Sequence, residues 1–154
     1  MKDPVREQVI KLLRGGQAHL TLDEVIKDLP IKLRGARFDG APHTAWQLLE
    51  HIRIAQRDIL EFSRNSKHVS PEWPEGYWPK TEKPANDAAW KKSVTAIKKD
   101  LLEMEKLVEN PATDLYAKIP HGTGQNILRE ALLVADHNAY HIGQLMLLRR
   151  LLGA

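Results

Sequence analysis

The sequence predicts an all-α protein, an antiparallel four-helix bundle. Four long segments carry apolar residues at spacings of three and four, which places them on one face of a helix. No segment alternates apolar and polar residues as a half-buried strand would. Prolines exclude a helix from residues 66–85, which are predicted to be a long loop between the second and third long helices. The 154 residues are expected to form one domain, 1–154.

The first predicted helix covers residues 4–14, because proline is favoured in a first helical turn and four apolar residues follow on one face. The pair Gly15-Gly16 breaks or kinks it. Thr21 and Glu24 then fit a capping box, in which a hydroxyl and a carboxylate bind free backbone amides at a helix start. A short helix is expected there, ending near Pro30.

The second long helix is expected to start at a further capping box, Thr44 to Gln47, after a turn at residues 39–42. It runs to about Asn65 and presents a broad apolar face. His51 lies on that face. A polar ring is therefore predicted inside the bundle.

The third long helix is expected to begin after Asn86, a favourable N-cap, and to stop at residues 110–111. Its apolar residues alternate steps of four and three, from Trp90 to Val108. The last helix is predicted over about 125–152. Apolar residues surround most of it, which predicts a buried helix: Ile127, Leu128, Ala131, Leu132, Leu133, Val134, Ile142, Leu145 and Leu147.

Composition excludes several classes of function. The chain has no cysteine, which rules out disulfides, iron–sulfur clusters, thiolate zinc sites and cysteine nucleophiles. Its 23 basic and 20 acidic residues are interspersed, so neither nucleic-acid binding nor a helix-turn-helix at residues 5–29 is expected. No apolar run is long enough to cross a membrane and no signal core is present. A cytoplasmic location is expected.

Three histidines are the candidate metal ligands. His137 and His141 are four residues apart in the last helix, which places their rings on one face, about 40° apart around the axis and ~6 Å along it. His51 adds a third imidazole from a facing helix, as in bundle metal sites. Three protein ligands are typical of a catalytic zinc site with one open position. An all-nitrogen set suits Zn, Ni, Cu or Fe.

Polar residues near these histidines are candidates for supporting roles. Tyr140 and Gln144 lie close to the histidines on the last helix and are predicted to orient a metal-bound ligand. Asp58 and Glu130 lie two turns from a histidine and are predicted to orient the imidazoles, or else to be plain surface residues. The remaining histidines, His19, His43, His68 and His121, fall in loops or beside turns and fit a ligand role less well; an approach of His43 to the site is kept as a minor alternative.

The 66–85 loop holds three large aromatic residues, Trp73, Tyr77 and Trp78. A flexible linker is seldom so aromatic. The rings are expected either to cover the bundle as a lid or simply to close its core.

The histidine pattern resembles that of the DinB-like superfamily of bacterial four-helix bundle metalloproteins. The resemblance rests on Trp46-x4-His51-Ile52 and on the run Asp136-His137-Asn138-Ala139-Tyr140-His141-Ile142-Gly143-Gln144. It implies that His51, His137 and His141 bind one divalent ion, zinc or nickel. It also implies dimers formed through bundle helices. Members with known activity include thiol S-transferases that use low-molecular-weight thiols, and metal-dependent isomerases.

Three functions remain compatible with the sequence. The first is a metal-dependent enzyme, of thiol S-transferase or hydrolase type, acting on a small molecule. The second is a non-catalytic metal-binding module for stress response or interaction, which the same residues support. The third is an inert bundle whose histidines are core hydrogen-bonding groups. No feature of the sequence identifies a substrate.

Overall fold

The computed structural model describes residues 3–154 and contains five α-helices in that range. They are α1 (Pro4–Arg14), α2 (Leu22–Ile26), α3 (Ala45–Arg64), α4 (Asp87–Glu109) and α5 (Ile127–Leu151). Four of them are the predicted long helices, and α2 is the predicted short one. No strand occurs among the described residues, where one isolated antiparallel bridge joins Lys118 to Asn126. The predicted all-α fold is confirmed.

The helix starts lie where the sequence predicts caps. Both predicted capping boxes form: the Thr21 hydroxyl accepts from the Glu24 amide, the Thr44 hydroxyl accepts from the Gln47 amide, and each partner side chain reaches back. Side-chain caps satisfy amides that the first helical turn leaves free. The boundaries of the long helices are therefore encoded locally.

The bundle is held by α3, which packs against both α4 and α5, while α1 packs against the same two helices. The core has two halves. One lies around Leu60, Met104 and Val134, towards α1, and the other lies around Leu49 and Leu145, towards α2. The predicted seam of α4 is confirmed, with Trp90, Ile97, Met104 and Val108 buried and Val94 and Leu101 partly buried.

The prediction that α5 is buried on most sides is wrong. Leu132 is 41% exposed and Leu147 is 59% exposed. A helix in such a bundle is covered only by its neighbours, so a stripe of its surface stays outside. The inward face of α5 instead carries buried polar side chains, among them Glu130, Asn138 and His141.

A buried polar bridge that the sequence analysis missed crosses the core beside these residues. Asn138 on α5 donates from Nδ2 to Gln56 Oε1 on α3, at 2.7 Å. Gln56 in turn donates from Nε2 to the Ile97 carbonyl on α4, at 2.7 Å. Buried amides without such partners would be costly. The bridge therefore stabilises one relative placement of three helices.

No helix within residues 3–154 is both long enough and apolar enough to pass through a membrane.

Thr44 makes two contacts at the start of α3, and removal of its side chain should lower the stability of the protein. Its side chain is fully buried, caps α3 and donates to the Glu82 carbonyl at 2.6 Å. Thr44→Ala should lower the free energy of unfolding by about 2 kcal/mol, about 1 for the cap and about 1 for the second hydrogen bond. Urea denaturation measures the change.

Thr44→Ser keeps the hydroxyl and is the matched control. Thr21→Ala removes the cap of the short helix α2 and should cost less than Thr44→Ala. Equal unfolding free energies for the alanine and serine variants at position 44 would contradict this role.

Candidate metal centre

The three predicted histidines converge between α3 and α5. His51 projects from the middle of α3, and His137 and His141 project from adjacent turns of α5. One nitrogen from each ring lies within 4.8 Å of the others. His51 and His141 are buried and His137 is partly buried. The three side chains are placed so that they could hold one metal ion.

Two of the rings are oriented by hydrogen bonds on their outer nitrogens. His51 donates from Nδ1 to the Tyr77 carbonyl at 2.8 Å, which assigns the proton of a neutral ring to Nδ1. His141 Nδ1 lies 2.7 Å from Gln144 Oε1, where it donates in the same way. This leaves both rings with an unprotonated Nε2, which can bind a cation; that of His51 can alternatively accept a hydrogen bond from His137 Nε2. Metal-binding histidines are typically held by such an acceptor on the other nitrogen.

His137 supplies the third ring of the cluster, and the distance from its nitrogen to that of His51 suits a bound cation. Its Nε2 lies 3.0 Å from His51 Nε2. Two nitrogens on a tetrahedral zinc ion are about 3.3 Å apart, given bond lengths near 2.0 Å. His137 Nδ1 is buried, and the neighbouring Asn138 side chain is the polar group that opposes the loss of charge on this ring. The donor set therefore fits a divalent ion of the zinc type, bound by neutral nitrogens.

All three rings are held neutral. Burial, and then the charges that His141 and His51 would carry, lower the pKa of His137 to about 4. Burial also lowers the pKa of His51 and of His141, against the opposing hydrogen bonds to Tyr77 and Gln144. A neutral imidazole is the form that binds metal.

Part of the 66–85 loop covers the cluster, through Trp78. The indole lies flat between two imidazoles, with centroids 3.9 Å from His51 and 3.9 Å from His43. Trp73, by contrast, is 73% exposed and packs edge-on against Tyr77. Both expectations for this loop are thus met in part: Trp78 covers the site and packs against the second half of the core, while Trp73 lies outside.

Asp58 acts on the site only through the loop. Its carboxylate accepts from the Tyr77 hydroxyl at 2.6 Å and lies 2.7 Å from His68 Nε2. Burial, with the hydrogen bond to Asp58, raises the pKa of Tyr77 to about 12, so the phenol stays a donor. Asp58 thereby anchors the residue whose carbonyl binds His51. It makes no direct contact with the three rings.

The other predicted supporting residues have distinct surroundings. Gln144 is bonded to His141, as described above. Tyr140 is 64% exposed, and its ring lies edge-on to His141 with centroids 4.9 Å apart. Glu130 is buried and paired with Arg129 at 2.6 Å, and no hydrogen bond joins it to a histidine within residues 3–154. Their roles toward a metal or substrate stay predictions.

The remaining histidines have different surroundings. His43 reaches the site by stacking on Trp78. The others lie elsewhere: His19 bonds the Leu20 carbonyl, His68 pairs with Asp58, and His121 bonds the Phe62 carbonyl.

Fold and site together define a class: a helical bundle whose facing helices bring three histidines into a cluster able to hold a divalent ion. Comparison with known proteins names the family. A model of the DinB superfamily matches residues 5–145, and the chain belongs to that superfamily. No curated protein and no solved structure gives a significant match.

Because the rings are neutral in the folded state, we expect the stability of the protein to depend on pH once a chelator has removed any metal. His137 binds a proton near 6.5 when unfolded but near 4 when folded. Between these values the unfolded state binds more protons, so stability is complete above pH 6.5 and falls as the pH drops. The loss from this residue should be about 3 kcal/mol by pH 4. Urea titrations at stepped pH measure it.

His137→Phe should flatten this pH dependence, because it removes the titrating group and keeps a buried ring. His19→Gln, at an exposed histidine, should leave the slope unchanged. If the unfolding free energy of His137→Phe falls with pH as steeply as that of the unsubstituted protein, another group causes the loss of stability at low pH.

Proposed function

We propose that the chain binds one divalent transition-metal ion through His51, His137 and His141 and uses it as a metal-dependent enzyme. The observation that carries the proposal is the orientation of the rings. Two of the three donate outward to fixed acceptors, which directs their Nε2 lone pairs toward the third. The Nε2 atoms of His51 and His137 lie 3.0 Å apart, which is within hydrogen-bond distance and also close to the spacing of two nitrogens on one tetrahedral zinc ion.

Zinc and nickel are the proposed ions. The ligands are all nitrogen, which disfavours magnesium and calcium. Three protein ligands leave a coordination position for water or substrate, as in catalytic zinc sites. When bound, the ion would lower the pKa of a coordinated water or thiol and polarise an acceptor group.

The surrounding residues would supply positioning. Gln144 and the Tyr77 carbonyl hold His141 and His51 in one tautomer, and Trp78 excludes water from the His51 face. Tyr140 lies beside His141 at the surface, where its hydroxyl could orient an entering group. Membership in the DinB superfamily, together with this site, favours thiol S-transfer or hydrolysis as the reaction.

A second candidate is a non-catalytic metal-binding module for stress response or interaction. Trp78 favours it, because the indole stacks directly on a ligand ring and restricts access from that side. The partial exposure of His137 favours the enzyme, since it leaves another side open. A cytoplasmic homodimer is part of the proposal, supported by Leu132 of α5, which is 41% exposed.

Metal content tests the centre. Purified protein should carry close to one zinc or nickel per chain by inductively coupled plasma mass spectrometry. His51→Ala, His137→Ala and His141→Ala should each lose most of it, because two remaining ligands bind far more weakly.

His121→Ala and His19→Ala are the matched controls, since both residues hydrogen-bond away from the cluster and its supporting groups. Circular dichroism checks that each variant folds. Retention of full metal content by the three folded cluster variants would refute the centre.

Turnover separates the enzyme from the non-catalytic module. Metal-loaded protein should consume a low-molecular-weight thiol with an electrophile, or hydrolyse an activated ester or amide. The rate should fall at least tenfold after chelation and return with metal, since the ion supplies the activation. Absence of metal-dependent turnover in folded, loaded protein across both panels would favour the second candidate.

A further inference from the structure

A small apolar pocket is separated from the histidine cluster by one side chain, Gln144. It has a volume of about 290 Å³ and is bounded by residues 38–43, the start of α3 and the end of α5. Its apolar walls include Leu48, Leu147, Leu148 and Leu151. That volume is at the lower end for small-molecule sites, which span about 300–1,000 Å³.

Three polar side chains line the same pocket, Asp39, His43 and Gln144. The Gln144 oxygen is taken by His141, so its NH₂ is the group left for a ligand, and it has no partner within residues 3–154. The ring nitrogens of His43 likewise make no hydrogen bond in the described part of the chain, since the ring only stacks on Trp78. Apolar walls with a few unpaired polar groups are typical of a ligand site.

The polar side of the pocket is the side that meets the metal centre. Gln144 is in direct hydrogen-bond contact with His141. His43 is separated from His51 only by the thickness of Trp78. A molecule seated against Gln144 therefore lies next to a ligand histidine. None of the three histidines lines the pocket itself, and Gln144 is the lining residue that contacts one of them.

We propose that this pocket binds the apolar part of a small uncharged substrate, a chain of about six carbons or a single ring. The polar end of the substrate then lies between Gln144 and the metal centre. The inference rests on the proposed function and names the substrate class for that site. Charge supports it, because the described lining residues include no Lys or Arg and do include Asp39, which disfavours an anionic tail.

The test uses full-length, metal-loaded protein and a series of alkyl hydroxamic acids from acetohydroxamic to octanohydroxamic acid. The head group binds the metal and the chain probes the pocket. Isothermal titration calorimetry should show affinity rising roughly threefold to fourfold per added CH₂ until about six carbons, then levelling off.

Leu147→Trp narrows the pocket at a residue that is 59% exposed, so the fold should tolerate it. This variant should lose the chain-length dependence while keeping its metal content and its affinity for acetohydroxamic acid. Leu102→Trp is the matched control, an equal change at an exposed leucine of α4 away from the pocket. Ala41→Leu, which fills the pocket from the loop, serves as the second variant.

Several outcomes would overturn the inference. One is an equal chain-length dependence in Leu147→Trp and Leu102→Trp. Another is binding of every hydroxamate with the affinity of the shortest. A third is sedimentation showing a dimer that Leu147→Trp dissociates, with no chain-length dependence, because a second copy would then occupy this face.

Loss of the metal centre is distinguishable from loss of the pocket. If the protein binds no metal, the proposed function fails. The pocket can then be tested separately, by adding 1-hexanol to the metal-free protein and measuring whether it binds there. Methyl NMR shifts at Leu147 and Leu151 that saturate with 1-hexanol and vanish in Ala41→Leu would support it. Unperturbed methyls would refute it.

Discussion

The burial of three imidazoles in one cluster is the constraint around which this structure is organised. Each ring carries two nitrogens, and a buried polar atom without a partner is costly. Tyr77 and Gln144 each satisfy one outer nitrogen, and the inner nitrogens face one another. A divalent ion is a partner that inner nitrogens of this kind can share. Burial lowers the pKa of all three rings, and the charges of neighbouring imidazoles lower the pKa of His137 and His141 further. Binding chemistry and stability thus depend on the same atoms.

The same constraint explains why the long loop is fixed to the bundle. Its Tyr77 carbonyl holds His51, and Asp58 on α3 holds the Tyr77 hydroxyl. Further along, the loop is tied to the start of α3 by Trp46 Nε1 donating to Thr81 and Thr44 donating to the Glu82 carbonyl. The segment is irregular because its prolines prevent a helix. It is nevertheless positioned by α3, the helix that carries His51.

Much of this could be predicted from local patterns. Capping boxes at Thr21 and Thr44 depend on residues three positions apart, and the seam of α4 depends on a repeat along one helix. The spacing of His137 and His141 is local as well. The hydrogen-bond partners of the buried side chains are only partly local in sequence. Gln144 is local to His141, but Tyr77 is 26 residues from His51, and Asn138 meets Gln56 across 82 residues. No periodicity in the sequence encodes such pairs.

The sequence by itself determined the helices, their ends, the all-α class and the identity of three histidines on inward faces, because these follow from contacts within one or two helical turns. The tertiary structure decided which face of α5 stays outside, which acceptors orient the rings, and that Trp78 lies between His43 and His51. Those outcomes depend on the packing of α3 against α4 and α5 and on the path of the loop. Both are set by the sum of many contacts between residues distant in sequence, not by any single motif.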